Sequence, residues 1–213
     1  QPDIQTPDLA LAAIKNLEHK VLEYSHSAGF ESYRNKLAVS YQKQGIPVDA
    51  QDIIVTTGGS EALVFGLMSA CNPGDEVIIP EPFYANYNGF AVMAGLNVVP
   101  VTAHIENGFA LPPVAQIEAK ITAKTKGIVV INPNNPTGAL YSDELLLGIV
   151  AIAREHGLVI FADEVYDKVL YDGVKHTPIA SLSQDVLTIT FNSLSKSYRS
   201  CGYRAGWMFL TGD

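Results

Sequence analysis

The sequence is poor in cysteine and has no long apolar run, and these two absences already limit the class of protein. Its 213 residues include two cysteines, Cys71 and Cys201, which indicates free thiols in a reducing compartment rather than a disulfide framework. No apolar run approaches the roughly 20 residues that cross a bilayer. The first residues, QPDIQTPDLA, also lack the basic and apolar regions of a signal peptide, so we expect a cytoplasmic protein without a membrane partner.

Basic residues are also in the minority. The chain has 22 acidic residues against 14 lysines and arginines, and its formal net charge is −8. Binding to a nucleic-acid backbone releases counterions and needs a basic face, so we expect no nucleic-acid partner. A hydrophobic content of 47% with 17% charged residues is typical of a globular fold.

Apolar, β-branched runs alternate with helical patterns along the chain. This order predicts an α/β fold, with a mostly parallel sheet of about seven strands and helices on both faces. A helix with Thr6 as N-cap and Pro7 at its first position is predicted to run to about Leu22, and a second helix to run from after Gly29 to Gly45. The predicted strands are 52–57, 76–80, 97–102, 127–132, 158–163, 187–192 and 205–210, and further helices are predicted at 60–71, 84–95, 114–121 and 142–157.

Candidate binding residues follow several of these strands, where parallel α/β sheets bind their ligands. A Gly-Gly turn places Gly59 and Ser60 at the start of a helix, whose free N–H groups and dipole suit an anion, although such a turn is equally common as a plain connection. Tyr84 follows the next strand, at a position where aromatic residues more often pack in a core. Asn135 lies in PNNPTG, a loop that the turn-forming residues make rigid.

Two strands end next to ionisable residues. Asp163 closes a very apolar strand, where burial raises the pKa of a carboxyl unless a cation or donor faces it, and Tyr166 follows in the same turn. Lys196 comes after the strand at 187–192; alone it would be an ordinary solvated charge, but Ser193 and Arg204 flank it. Together the strand ends offer partners for a phosphate, a flat ring, a protonatable ring nitrogen and an aldehyde, and pyridoxal phosphate carries all four.

The same stretches resemble a known family. In chain order they read PDIQTPD, YSHSAGFESYR, VTTGGSEAL, PGDEVIIPEPFY, NPNNPTG, ADEVY and SLSKSYRSCGYRAGW. With these motifs in register over nearly its whole length, the chain resembles the fold-type I pyridoxal-phosphate aminotransferases of class I/II, and is similar to bacterial aspartate and alanine aminotransferases. The resemblance implies pyridoxal phosphate as cofactor. It also implies amino-group transfer between an aspartate- or alanine-like amino acid and a 2-oxo acid such as 2-oxoglutarate.

The resemblance implies a role for each candidate residue. Lys196 would carry the cofactor as a Schiff base and shuttle the substrate proton, and Asp163 would pair with the ring nitrogen. Asn135 and Tyr166 would hydrogen-bond the phenolic oxygen of the cofactor. Tyr84 would stack on the ring, and both Tyr84 and Asn135 would contact the substrate. The phosphate would be held by Gly59, Ser60, Ser193 and Arg204.

Assembly and domain organisation are also implied by the resemblance. Tyr24 matches a tyrosine that reaches the phosphate of the neighbouring subunit, which implies a homodimer. Residues 1–28 would then form an N-terminal segment and helix near the dimer interface, and 29–213 the cofactor-binding large domain of the aspartate aminotransferase fold, incomplete at its C-terminal end. The sequence lacks the family's small C-terminal domain, with the arginine that grips the substrate carboxylate, and the glycine before QPD. Arg199 has no assigned role and is expected on the surface, and no metal site is expected.

Two alternatives stay open. Another enzyme on the same scaffold, such as a C–S lyase, a cyclopropane-carboxylate synthase-like enzyme or a decarboxylase, would share the lysine chemistry. A cofactor-binding regulatory domain, of the kind fused to a DNA-binding module, would keep the cofactor site. The motifs do not separate these alternatives from an aminotransferase, and they do not identify the substrate side chain.

Overall fold

Seven strands form one sheet at the centre of the molecule. The structure is a computed structural model that describes residues 4–18 and 20–213. Every predicted strand is present, with bounds within two residues of those expected from the sequence. The strands are β1 (Ile53–Thr56), β2 (Glu76–Glu81), β3 (Asn97–Thr102), β4 (Thr125–Ile131), β5 (Val159–Asp163), β6 (Thr188–Ser193) and β7 (Gly206–Thr211).

The sheet is mostly parallel, as predicted. Its strand order is β1-β7-β6-β5-β4-β2-β3. Strands β2 to β6 pair in parallel, whereas β7 is antiparallel to both of its neighbours, β1 and β6. Because β1 and β6 both run opposite to β7, all strands except β7 end at the same edge of the sheet, which we call the carboxyl edge.

Helices cover both faces of the sheet. Successive residues of a strand point to opposite faces, so one strand contributes side chains to the core on each face. In β4, Val129 and Ile131 pack in one core cluster with residues of α3 (Gly59–Ala70) and α4 (Asn86–Ala94). Ile128 and Val130 pack in a second cluster with residues of α5 (Val114–Glu118) and α6 (Asp143–His156). Neither these helices nor the others in the described ranges are both long and apolar enough to span a membrane.

A third cluster lies at the β1 side of the sheet. Helix α2 (Glu31–Gln42) packs Ala38 and Tyr41 against Trp207 and Phe209 of β7. The Trp207 indole N–H donates to the Tyr41 hydroxyl at 2.8 Å, so the polar tips of both side chains are paired within the core. This packing fixes β7, and with it the loop that precedes β7 at the carboxyl edge.

The first helix is shorter than the sequence predicts. Helix α1 spans Asp8–Lys15 rather than Thr6 to about Leu22, and Pro7 occupies its N-cap. The Thr6 hydroxyl instead donates to the backbone oxygen of Arg199 at 2.8 Å. None of the residues of α1 is buried, and a helix without a packed face gains little stability from additional turns. Residues 1–3 and 19, which belong to the predicted N-terminal segment, lie outside the described residues.

Candidate active site

A cavity of about 210 Å³ opens at the carboxyl edge. Nine of the ten residues singled out from the sequence line it, and they come from the ends or following turns of β1, β2, β4, β5 and β6 and from the loop before β7. Tyr24 does not line it; its side chain is fully exposed in the N-terminal segment. The lining residues are Gly59, Ser60, Leu63, Tyr84, Asn135, Asp163, Val165, Tyr166, Ser193, Ser195, Lys196, Cys201 and Arg204.

Asp163 is the buried acid of the cavity. It is the last residue of β5, and only 5% of its surface is exposed. The Tyr87 hydroxyl donates to Asp163 Oδ2 at 2.8 Å, and the Val165 N–H donates to Oδ1 at 3.3 Å. Burial raises the pKa of Asp163 above its ordinary value, while the Tyr87 hydroxyl, the Val165 N–H and the Lys196 amine each act to lower it. Among the described residues, no cation lies within hydrogen-bond distance of this carboxylate, although its burial favours one.

Tyr87 was not identified from the sequence. It lies in α4 and is completely buried, with Asp163 as the acceptor of its hydroxyl. Burial raises its pKa well above the ordinary value, and the neighbouring Asp163 charge raises it further, so the hydroxyl stays a donor. Tyr84 precedes α4 and is partly exposed, whereas Tyr87 lies within the helix and is buried. The contact of Tyr87 with Asp163 joins residues that are distant in the chain, so no local pattern identifies it.

Lys196 lies in the loop that follows β6. The side chain is exposed, and Nζ lies 5.9 Å from the centroid of the Tyr166 ring. Tyr166 is half-buried in the turn after β5, three residues beyond Asp163. The amine is also close enough to Asp163 to lower the pKa of that carboxyl. The structure thus brings the lysine, the acid and the tyrosine to one cavity, as the sequence predicts.

The start of α3 forms one wall of the cavity. Gly59 and Ser60 are its first residues, and no side chain caps the helix N-terminus. The nearby Thr57 N–H is occupied, because Glu61 Oε2 accepts it at 2.7 Å. The buried Ser193 hydroxyl accepts the Ser195 N–H at 3.2 Å, which leaves its own proton available to donate. This wall offers N–H and O–H donors together with the positive end of a helix dipole, a combination that binds anions.

Arg204 completes this wall from the loop before β7. Its guanidinium donates to the Cys201 backbone oxygen at 2.8 Å and to the Thr57 backbone oxygen at 3.3 Å. A guanidinium carries five N–H donors, so several remain for a ligand. Arg204 adopts a left-handed φ of +51°, which is costly for a residue with a side chain and is found where the surroundings fix the conformation.

Two glycines allow β1, α3 and β7 to meet at this wall. A Cβ on Gly206 would lie 2.6 Å from the backbone nitrogen of Gly59, which is closer than real Cβ contacts. Gly58 has a φ of +115°, and a Cβ there would collide with the Arg204 guanidinium. A Cβ on Gly59 would meet its nearest neighbour, Val165, at an ordinary 3.5 Å. Sequence reasoning picked out Gly59, but the close packing depends on Gly58 and Gly206.

Asn135 lines the cavity from a loop whose conformation is held by hydrogen bonds of two other asparagines. Asn132 Oδ1 accepts the Tyr141 N–H at 3.0 Å. Asn134 Oδ1 accepts the Thr137 hydroxyl at 2.8 Å and the Thr137 N–H at 3.2 Å. The predicted rigid loop is therefore present, with Asn132 and Asn134 serving the loop itself and Asn135 lining the cavity.

Tyr84 lies at the mouth of the cavity. It is 39% exposed, and its hydroxyl accepts a hydrogen bond from Asn86 Nδ2 at 2.7 Å. Its ring is therefore available on a surface rather than in the core, in contrast to the ordinary expectation for an aromatic residue at a strand end.

Further titratable groups are buried behind Asp163. Glu164 is 3% exposed and accepts the Ile179 N–H at 3.0 Å. Burial raises the pKa of Glu164 to about 8, with smaller contributions from nearby Asp167 and Asp163. His176 Nε2 lies 3.9 Å from Glu164 Oε1, and burial lowers the pKa of that imidazole. The turn after β5 thus concentrates acidic groups in the protein interior.

One group of possible metal ligands lies outside the cavity. Atoms of Glu118, Glu155 and His156 lie within 4.8 Å of one another near the ends of α5 and α6. His156 Nε2 and Glu118 Oε1 are 3.1 Å apart, which is the geometry of a hydrogen-bonded surface pair. These residues do not line the cavity.

The sequence of this chain is similar to those of known aminotransferases. A sequence model described as "Aminotransferase class I and II" matches residues 1–212. Glutamate-pyruvate aminotransferase AlaA of Escherichia coli K12 is 47% identical over 190 residues, which are 89% of this chain and 47% of that protein. Alanine aminotransferase of Mycobacterium tuberculosis H37Rv is 42% identical over 98% of this chain and 49% of its own length.

Solved structures agree with these sequence relatives. The crystal structure of an aminotransferase from Escherichia coli superposes with a TM-score of 0.93 at 44% identity, over 99% of this chain and 52% of that one. Thermus thermophilus aspartate aminotransferase with maleate gives a TM-score of 0.91 at 34% identity, over 98% of this chain and 55% of that one. The chain therefore spans about half the length of the relatives that it matches.

Proposed function

The chain belongs to the class I and II aminotransferases, and from this premise we propose that its cavity binds pyridoxal phosphate and that the protein transfers amino groups. The observation that carries the proposal is the convergence of Asp163, Lys196 and an anion-binding wall on one cavity. A lone lysine or a lone helix start would be an ordinary surface feature. The three together match the ring nitrogen, the aldehyde and the phosphate of one cofactor.

The residues present fit this cofactor. Asp163 is a buried carboxylate with two donors and no cation in hydrogen-bond contact among the described residues, and a protonated ring nitrogen would supply the missing charge. The wall at Gly59, Ser60, Ser193 and Arg204 would hold the phosphate. When bound, pyridoxal phosphate supplies a conjugated ring that accepts the electron pair left when a substrate Cα–H bond breaks.

Each of the cavity residues would then have a separate role in binding the cofactor or moving a proton. Asp163 would keep the ring nitrogen protonated, because a cation beside a buried carboxylate stabilises both charges. Lys196 would bind the aldehyde carbon and move the proton at the substrate Cα, a task for a flexible amine at the cavity mouth. Asn135 and Tyr166 would donate to the phenolic oxygen, and the exposed ring of Tyr84 would cover the cofactor face.

Alanine is the preferred substrate in this proposal. The reported relatives with 47% and 42% identity are named for glutamate–pyruvate and alanine, whereas an aspartate aminotransferase from Bacillus subtilis is 36% identical. These names favour transamination over the lyase and regulatory alternatives. Arg204 is the one arginine among the described residues that line the cavity, so a cation for the substrate carboxylate would come from residues beyond this lining.

A homodimer is the proposed assembly, with residues 1–28 at its interface and 29–213 as the cofactor-binding domain. Leu22 is 96% exposed and the neighbouring Tyr24 is fully exposed, an arrangement that suits burial against a second copy. The cytoplasm is the proposed location, because both cysteines are free thiols.

Trapping the cofactor on the lysine tests the proposal. Borohydride reduction of the full-length protein loaded with pyridoxal phosphate should leave the cofactor on Lys196, as found by peptide mass spectrometry. Lys196→Ala should abolish the label, and Lys175→Ala, which removes an exposed lysine outside the cavity, should retain it. A label on Lys168 or Lys175 in the parent protein would refute the assignment. Steady-state assays should then show faster turnover of alanine than of aspartate with 2-oxoglutarate.

A further inference from the structure

A hydrogen-bonded contact joins the loop between β6 and β7 (residues 194–205), which we call the lysine loop, to the turn after β5. The proposed function does not use this contact. Ser197 Oγ lies 2.8 Å from Asp167 Oδ1 and 3.1 Å from the Val165 backbone oxygen. It also accepts the Lys168 N–H at 3.4 Å. A hydroxyl has one proton to donate, and the shorter distance assigns it to Asp167. We call this the Ser197–Asp167 contact.

Asp167 is buried, and its carboxylate is fully paired. It is 8% exposed, and both of its carboxylate oxygens have partners: Oδ1 accepts from Ser197, and Oδ2 pairs with Lys168 Nζ at 2.8 Å. Lys168 Nζ in turn lies 5.4 Å from the ring centroid of Tyr198, the residue after Ser197. The loop is therefore fastened to the turn at two successive residues, once by a charge-assisted hydrogen bond and once by an ammonium over a ring.

The position of this contact matters for Lys196. Lys196 directly precedes Ser197, and Tyr166 directly precedes Asp167, so the contact lies one residue from both. Lys196 Nζ is 5.9 Å from the Tyr166 ring centroid, and Asp163 is at the start of the same turn. The lysine side chain is exposed and has many rotamers. Its reach into the cavity is therefore set by where the loop backbone is held.

We propose that Ser197 and Asp167 are positioning residues for Lys196. They act through the backbone, by fixing the distance between the lysine loop and the turn that carries Asp163 and Tyr166. The inference rests on the proposed role of Lys196. A contact that only stabilised the fold would change the melting temperature and leave the properties of the bound cofactor unaltered.

The test compares serine variants of the full-length, cofactor-loaded protein. Ser197→Ala removes the hydroxyl, and Ser197→Thr keeps it. Ser181→Ala is the matched control, because it removes a serine hydroxyl that donates to the Pro178 backbone oxygen at 2.7 Å outside the cavity. The readouts are the pH midpoint of the visible absorbance of the bound cofactor and the rate at which apoprotein regains that absorbance when pyridoxal phosphate is added.

Ser197→Ala should move the midpoint by about 0.5 pH unit or more and slow reconstitution by roughly 3- to 10-fold, the factor for one hydrogen bond. Ser197→Thr and Ser181→Ala should match the parent. A Ser197→Ala protein with the parent's midpoint and rate overturns the proposal. If Ser197→Ala does not fold, Asp167→Ala replaces it, because it removes the acceptor of the Ser197 hydroxyl; unchanged readouts in that variant also overturn the proposal.

The parent protein separates this inference from the proposed function. A parent without a cofactor absorbance band and without borohydride label on Lys196 overturns both. A parent that labels at Lys196, with unaltered readouts in Ser197→Ala (or in Asp167→Ala, where the serine variant does not fold), overturns the positioning role alone.

Discussion

The cavity at the carboxyl edge and the segment of residues 4–30 accommodate their side chains in opposite ways. In the cavity, the buried Asp163 carboxylate is held by a fully buried tyrosine and a backbone N–H. In the segment, Leu22 and Tyr24 are almost entirely exposed, and no residue of α1 is buried. Between the described residues of the segment and the lysine loop there are two hydrogen bonds, from Thr6 to Arg199 and from Tyr203 to Ala10. The buried carboxylate of the cavity is thus held by contacts within this chain. In the segment, the large side chains of Leu22 and Tyr24 instead lie exposed on the surface.

Asp163→Asn, which alters the buried acid of the cavity, should have the largest effect on activity. A neutral amide cannot balance a protonated ring nitrogen, and removing one partner of a buried ion pair costs about 3–5 kcal/mol. This corresponds to a fall in turnover of about 10²- to 10⁴-fold. Pre-steady-state measurement of substrate Cα–H cleavage, with deuterated alanine, should assign the loss to that step. Asp172→Asn, the same substitution at an exposed acid outside the cavity, is the matched control and should keep parental turnover. Near-parental turnover of Asp163→Asn would make Asp163 a structural acid.

Glu164→Gln should change how stability depends on pH. The ordinary pKa of Glu164, 4.5, is raised to about 8 in the folded protein, so between these values the folded state holds a proton that the unfolded state has lost. The free energy of unfolding therefore falls as pH rises from about 5 to about 8, with a contribution of up to about 1.4 kcal/mol per pH unit from this one group. Urea unfolding at several pH values should show a shallower fall for Glu164→Gln. Glu106→Gln, at an exposed carboxylate, should keep the parental slope, and an equally steep fall in both variants would remove Glu164 from the explanation.

Leu22→Ala tests whether a second copy of the chain covers the exposed segment. If a second copy covers the segment, loss of this side chain removes about 1.5–3 kcal/mol of apolar burial and weakens the dimer roughly 10- to 100-fold. Sedimentation velocity over a concentration series measures the change in Kd. Tyr171→Ala, at an exposed aromatic residue outside the segment, should leave the Kd unaltered. A dimer of parental affinity in Leu22→Ala would place the interface elsewhere.

Tyr87→Phe should have the smallest effect. It removes one hydrogen bond to Asp163 and leaves the buried ring, at a cost of about 1 kcal/mol. The pKa of Asp163 should rise further, because the Tyr87 hydroxyl is one of the groups that lower it. A pH–rate profile should therefore show its acidic limb at higher pH than in the parent, with the melting temperature lowered by about 2–4 °C. Phe83→Leu, beside Tyr87 in the same aromatic cluster, tests whether packing alone moves that limb.

The sequence predicts the sheet and most of the cavity because both follow from local patterns. Strands buried on both faces are continuous apolar runs, and their carboxyl ends meet at one edge, so Asp163 and Lys196 could be brought together without coordinates. The extent of α1 could not be predicted, because the pattern continues to Leu22 while none of the residues of α1 is buried. Tyr87 and Gly206 were missed for a related reason: their importance depends on contacts with Asp163 and Gly59, residues that are distant in the chain.

The antiparallel strand β7 also dictates an order of assembly. β1 has β7 as its partner in the described sheet, and β7 inserts between β1 and β6. During synthesis β1 therefore emerges early but cannot pair within the sheet until β7, the last of the described strands, has been made. Pairing across such a sequence separation is slow, because the loop entropy is lost before the contacts form. Because β7 pairs its Gly206 with Thr56 of β1, Arg204 meets Gly59 only after this pairing has formed, and an anion held by both residues reports it.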